Sequence, residues 1–505
     1  MKKLFKIFLF IFFIQCKSLY GEKMKKDEIV FYSAAKSENP WIENAPGDLK
    51  NVFHTAILNL LVYMDTDFNI KPITLESFHW DYKNKYYVLT LKPDLYFTNG
   101  RKVTIEDLEF SLLRPFFAAA KNVGSMRLIN VKGIEKIKLG TLYQSGLVEG
   151  IKILSSNSLA VIPSSPNPSF MYTLARSNYS LRPKEEFKKD LLNWKKWPIG
   201  VGPYKITNED KENRKYTLEL VNHNLLKDAP RKIIFELERI SKPDITLKDP
   251  ISSNDSSFKH IELSAPLGVR LFAFNYTSKL GNNAEFRKAI NLSLKRNLIT
   301  KETLIPSIPL NEVVTKGSIG RLNIVENQDL IEAKRLFKKV LGNQIDRVFK
   351  IPHTPDSDFL GNSYKTVIIK QLEMAGLKIE FIESNNLWNT FQDEFSDSPF
   401  RMLGKGADYY DPLMTFTMFK KGSPLINSYP NDDTLDTLME EAKISPNRDI
   451  LGLSIEKLSK YFTDNDIAIH LFSVPTIVHY NPQKIKSVGE QVGGQTFHLA
   501  HITMK

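Results

Sequence analysis

Strand-like and helix-like segments alternate along this chain without a fixed repeat, which predicts an α/β protein of several lobes. Its length points the same way: 505 residues exceed what one ordinary core organises and suggest about two to four domains. Hydrophobic residues make up 42% and charged residues 25%, the balance of a folded chain rather than a disordered one. The stretch "YKTVIIKQLEMAGLKIEFIE" at 364–383 adds a local signature, with Gly376 closing a helix just before a strand, as in a mixed or parallel sheet.

Taken in order, "EIVFYSA" from residue 28 is strand-like, and "LKNVFHTAILNLLVYM" spaces Val52, Phe53, Ala56, Leu60 and Leu61 as a buried helix would. "YYVLTLKPDLYF" reads as a strand pair. "TIEDLEFSLLRPF" reads as a helix, with Thr104 as N-cap, Asp107 at the capping-box position and Pro115 marking the end. In "PIGVGPYKITNED", Gly200, Gly202 and Pro203 punctuate the approach to the strands "KYTLELVNH" and "KIIFELERI". The polar, turn-rich stretch 241–262 reads as a connection ahead of the apolar strand "VRLFAFNY". Helices are then expected in "AEFRKAINLSLKRNLI" and "DLIEAKRLFKKVL".

The first 21 residues read as a cleaved export signal: lysines at 2, 3 and 6, an apolar run from Leu4 to Ile14, then small and polar residues. That run is too short to span a bilayer comfortably. Cys16, the single cysteine, follows it directly and is a candidate lipidation site, although Gln15 stands where a small residue normally precedes a lipoprotein cysteine. The other reading is cleavage after Ser18 or Gly21. No disulfide is available in either case, so stability rests on buried area. The net charge of +12 is diffuse, with acids close to each short lysine cluster and no interleaved aromatic pattern, so no nucleic-acid partner is expected.

The punctuated stretches, in their order, resemble the peptide-type periplasmic solute-binding proteins of ABC transporters, family 5. "YYVLTLKPDLYFTNGRKVTIEDLEFSLLR" is similar to the family's strand, turn and helix, and "GVGPYKI" to its G-T-G-P-Y segment. "FAFNYTSKLGNNAEFRKAINLSLKRNLI", "EAKRLFKKV" and "VIIKQLEMAGLKIEF" follow. "GADYYDPLMTF" resembles the acidic D-Y-x-[DE]-P loop, and "YPNDDTLDTLMEEAK" with "FTDNDIAIHLF" closes the series.

The resemblance covers nearly all of residues 28–500. It implies a periplasmic binding protein-like α/β fold, two lobes around a hinged cleft plus an appended domain. Lobe I would take 24–57, 173–262 and 478–505, the appended domain 58–172, and lobe III 263–477. It also implies a monomer in the periplasm or cell envelope, working with ABC permease subunits and touching the membrane only through a lipid anchor at Cys16.

In peptide-binding relatives the loop aspartate pairs with the ligand's α-amino group, which assigns that role to Asp408. Gly404 and Gly406 would offer backbone to the ligand, with Lys405 and Ala407 lining the same loop "GKGADYYDP". Lys405 departs from the tryptophan often found there. Trp388 stands where the family often has a cleft-lining aromatic, with core packing an equal reading. Arg401 lies near a position that can face a ligand carboxylate, though an exposed, ion-paired arginine is the plainer reading. The stretch 241–262 lacks the family's G-E-x-D element, which suggests a trimmed hinge.

Catalysis is not expected. The nine histidines are scattered, no H-E-x-x-H or G-x-S-x-G occurs, and the folded part holds no cysteine nucleophile. The acid pairs at 432–433 and 440–441 read as solvated faces, and His498 with His501 is the nearest approach to a metal pair. No cofactor or metal is implied. Receptors of the same fold for a metal complex, haem or a sugar, or a surface lipoprotein in adhesion or signalling, are the alternative functions.

Overall fold

The computed structural model describes residues 27–33, 48–65, 69–118, 129–138, 140–165, 167, 169–221, 226–247, 249–262, 268–354, 360–384, 391, 393–406, 412–422, 428–445, 448–489 and 497–505. Among them, two large sheets and a smaller one organise the chain.

The first sheet has seven strands in the order Lys259–Glu262, Ile477–Tyr480, Ile245–Leu247, Glu28–Ser33, Lys232–Glu236, Lys215–Leu220 and Tyr204–Asp210. Glu28–Ser33 is its centre, parallel to both Lys232–Glu236 and Ile245–Leu247. Ile29 and Phe31 point to one face, where Phe53, Ala56 and Ile57 of the helix Asp48–Leu58 complete a buried core. The close approach of that helix end explains the "GVGPY" motif. A Cβ on Gly202 would lie 2.4 Å from the carbonyl carbon and oxygen of Ile57, and one on Gly200 2.4 Å from the Cα of Leu58. Gly202 N–H donates to Ile57 O at 2.8 Å across the same contact.

The second sheet has six strands: Ile308–Pro309, Ala468–Val474, Gly268–Phe274, Phe400–Gly406, Val348–His353 and Lys378–Glu383. Both of its faces are covered. Phe272, Phe274, Phe400 and Met402 pack with the helices Ala284–Ser293, Leu330–Leu341 and Ser363–Met374, while Leu271, Ala273 and Leu403 pack with Asp433–Lys443 and Arg448–Asp464. Side-chain alternation along one strand thus feeds two separate cores. A third core packs the helix Ile105–Phe117 on a four-stranded sheet through Leu108, Leu112, Leu89 and Leu159.

Several local expectations hold. Asp107 accepts from Thr104 N at 2.8 Å in a capping box, and Leu377 N donates to Leu372 O at 2.9 Å as the helix before Gly376 ends. Others need correction. Pro115 does not end its helix, which runs to Phe117; the cap Ala118 N–H bonds Arg114 O at 3.0 Å, so the hydrogen bond lost at the proline falls in a last turn that closes without it. The stretch 241–262 is not mere connection. It supplies Ile245–Leu247, Lys259–Glu262 and the short helix Pro250–Ser253, because buried Ile245 and Leu247 add to the edge of the central strand despite their polar flanks. Nor is Asp432 a solvated acid: it caps the helix Asp433–Lys443 and accepts from Tyr461 Oη at 2.9 Å.

Two passages join the large sheets, and they lie side by side. Lys259–Glu262 leads to Gly268–Phe274, and Ala468–Val474 leads back through Pro475 and Thr476 to Ile477–Tyr480. On one side Glu262 pairs with Ile477, and on the other Gly268 pairs with Val474.

Candidate ligand-binding site

The strand directions decide what faces this joint. In the second sheet, Phe400–Gly406 runs parallel to Val348–His353, which runs parallel to Lys378–Glu383. Ala468–Val474 and Phe400–Gly406 are both antiparallel to Gly268–Phe274, so they share that direction. All four carboxyl ends lie at the end where the passages cross. In the first sheet, the carboxyl ends of Glu28–Ser33, Lys232–Glu236 and Ile245–Leu247 are turned the same way. The crevice outside such ends is where open α/β sheets take ligands.

Phe400–Gly406 delivers its two glycines to this end, and the segment 407–411 follows at once. Gly404 is opposite Arg270 on the neighbouring strand, and a Cβ there would come within 1.3 Å of Arg270 Nη1. The guanidinium therefore lies across the glycine, half-buried, beyond the end of the Phe272–Phe274 core. On the other side Thr354 Oγ1 accepts the Gly404 N–H at 3.2 Å, and Thr354 N donates to Met402 O at 3.3 Å. His353 Nδ1 lies 2.8 Å from Thr354 O, so it carries the proton there, since a carbonyl only accepts. The backbone at Gly404 is held between an arginine and a threonine, with its N–H already engaged.

Arg401 is placed differently from its plainer reading. It is 3% exposed, with its guanidinium 6.0 Å from the centre of the Phe391 ring, and burial pushes its pKa down to about 10. Alternation along the strand puts it on the face opposite Gly404 and Arg270. Asp408, Ala407, Trp388 and the side chain of Lys405 lie outside the described residues, as does Cys16; Gly406 is described in its backbone, paired with Gly268. Arg270 and Thr354 adjoin Gly404, with His353 behind Thr354, and sequence reasoning pointed to none of the three. Each is an ordinary residue in a strand or at its end, and only the register brings them to Gly404.

His498 and His501 stack at 4.9 Å between ring centres. Burial, then His501, pushes the pKa of His498 down to about 3, so it is neutral. Among the described residues no three His, Cys, Asp or Glu side chains gather as a metal site, and no helix is long and apolar enough to cross a membrane.

Two open sheets joined by paired adjacent passages, with carboxyl ends turned to the joint, define the class: a two-lobed α/β solute-binding fold. Residues 69–236 match the bacterial extracellular solute-binding proteins, family 5 Middle. The oligopeptide-binding protein OppA of Bacillus subtilis is 21% identical over 374 residues, covering 66% of this chain and 67% of that relative. The unliganded open form of the periplasmic murein tripeptide-binding protein MppA superposes with a TM-score of 0.75 at 15% identity, covering 95% of this chain and 98% of that one. NikA of Staphylococcus aureus, in complex with Ni(L-His)2, gives a TM-score of 0.71 at 16% identity, with 95% and 100% covered. The resemblance to family 5 is borne out, by sequence in the matched region and by fold over nearly the whole chain.

Proposed function

We propose that this protein is an extracytoplasmic receptor that captures peptides in the cleft between its lobes and delivers them to the permease subunits of an ABC importer. The observation that supports this most is the position of the Gly404–Gly406 strand end: it reaches the joint between the sheets, and the loop carrying Asp408 follows directly. An ammonium enclosed there needs an opposite charge, which Asp408 supplies. Backbone contacts from the glycine segment, apart from the Gly404 N–H that Thr354 already takes, read no side chain, so the receptor tolerates many peptide sequences. Lobe I takes residues 24–57, 173–262 and 478–505, the appended domain 58–172, and lobe III 263–477. The separate cores of the first and second sheets support that division. Acylation at Cys16 would hold the protein at the membrane, and Cys16→Ser should then release it into the soluble fraction.

The decisive experiment is calorimetry on a two-by-two set: wild type and Asp408→Asn, each with a free and an N-acetylated peptide. Losing one partner of a buried charge pair costs about 2–5 kcal/mol, so either change alone should weaken binding by about thirtyfold to several thousandfold. The two together should not add, because they delete the same contact. Equal affinity of wild type for both peptides would overturn the peptide reading. A non-peptide solute is the second reading, favoured by Lys405 where the family often has tryptophan and by the likeness to a nickel–histidine receptor. Native mass spectrometry of the purified protein separates the two, a spread of bound peptide masses against one discrete solute.

A further inference from the structure

Arg448 opens the helix Arg448–Asp464, whose Leu451, Ile455 and Phe462 pack in the core that Leu271, Ala273 and Leu403 line on one face of the second sheet. A cation at the first position of a helix meets the positive end of the helix dipole, so local preference disfavours it there. Its partner lies in another body. Arg448 Nη1 donates to Asn69 Oδ1 at 2.6 Å. Asn69 immediately precedes the strand Ile70–Pro72, which pairs with Val62–Met64, and Val62 is buried in the third core. The contact thus spans 379 residues of sequence and joins two cores that share no strand.

Asn69 is itself fixed. Its N–H donates to Asp65 Oδ1 at 2.8 Å, and its Nδ2 to Asp65 Oδ2 at 3.4 Å, so the amide can only present its oxygen to Arg448. The result is a cation–amide–carboxylate relay, with Asp65 polarising the amide that receives the guanidinium. Such a chain is stronger than a neutral hydrogen bond. Lys71 Nζ also lies near, 3.8 Å from Asp65 Oδ2.

We infer that Arg448 and Asn69 are a positioning pair that holds the third-core body against the helix layer of the second sheet and so sets how far the cleft opens. This rests on the reading of the chain as a receptor that opens and closes on a solute. A hinge needs only small energies to shift its populations, and this contact is made or broken as the bodies part.

The test measures distance in ligand-free protein, so its outcome does not depend on the solute. Spin labels are attached to Tyr82→Cys and Val325→Cys, both exposed positions on the two bodies, in a Cys16→Ser background. Arg448→Ala and Asn69→Ala should each shift the distribution to longer distances, lowering the closed-to-open ratio by about tenfold. The double variant should add little. Arg448→Lys, which keeps a cationic donor, should restore part of the short-distance population. Raising salt should lengthen wild type more than Arg448→Ala. Because the two alanine variants sit on different bodies, a local loss of helix at 448 cannot mimic the effect of Asn69→Ala. An unchanged distribution in both single variants overturns the inference. A shift without any peptide binding would leave the positioning pair standing while the peptide reading falls.

Discussion

Gly202 and Gly404 each lack room for a Cβ, but against different neighbours. At Gly202 the obstruction is helix backbone, the carbonyl of Ile57 at 2.4 Å. At Gly404 it is the end of one flexible side chain, Arg270 Nη1 at 1.3 Å. The shorter distance is the more forgiving one, because a guanidinium can swing aside and a helix end cannot. One glycine holds an element in place; the other lies under an adjustable cation at the joint between the sheets. Crowding alone therefore does not say whether a glycine can accept a side chain, whereas the mobility of the neighbour does.

Three experiments press on that difference. Gly202→Ala should be the most damaging to stability. Overpacking a site typically costs about 1–3 kcal/mol, occasionally more, and rigid backbone on the far side puts this one at about 3 kcal/mol or above. A drop in the urea midpoint of the first lobe's transition, with the second lobe's unchanged, is the expected reading. A near-neutral Gly202→Ala would mean that the helix end moves freely.

An acid titration comes next, again weighing a rigid surrounding against a soft one. His498 is pushed down to about 3 by burial, against an ordinary value of 6.5. Its folded pKa is depressed, so between about pH 6.5 and 3 the unfolded chain binds a proton that the folded chain refuses, and stability falls as pH falls. Each unit of that gap is worth about 1.4 kcal/mol. His498→Leu should flatten the stability–pH slope in this window, measured as the urea midpoint at successive pH values. The same slope in both proteins would show that another group sets the acid limb.

The smallest effect on stability is expected from Gly404→Ala. Displacing the Arg270 guanidinium should cost under about 1.5 kcal/mol, while ligand affinity changes clearly because both the glycine backbone and the cation over it are altered. Arg270→Ala in the Gly404→Ala background should recover the stability loss, since the obstruction is gone, and that rescue is visible by thermal melting. If stability collapses as it does at Gly202, Arg270 is as rigid as backbone, and the contrast between the two glycines disappears.

Much of the architecture is legible without coordinates where the signal is local. Thr104 and Asp107 form the expected capping box, and the helix before Gly376 ends as its spacing implies. Local signals mislead where long-range pairing overrides them. The segment 241–262 is polar in composition, yet Ile245–Leu247 and Lys259–Glu262 are strands because partners distant in sequence, Glu28–Ser33 and Ile477–Tyr480, lie alongside them. Arg401 fails in the same way: its composition suits a surface, but the strand carrying it is interior to a sheet covered on both faces.

By itself the sequence determined the locally capped and periodic elements, their order and the family resemblance, because capping residues, glycine punctuation and hydrophobic period act over a few residues and are written consecutively. It also marked the glycine-rich segment from 404 as unusual. Only the tertiary structure decided that Arg270 lies across Gly404, and that Arg448 meets Asn69 across two cores. Both depend on strand register and the docking of bodies hundreds of residues apart. A one-residue slip in register would set Val269 or Leu271 opposite Gly404 in place of Arg270, and nothing in either local stretch records which register the sheet adopts.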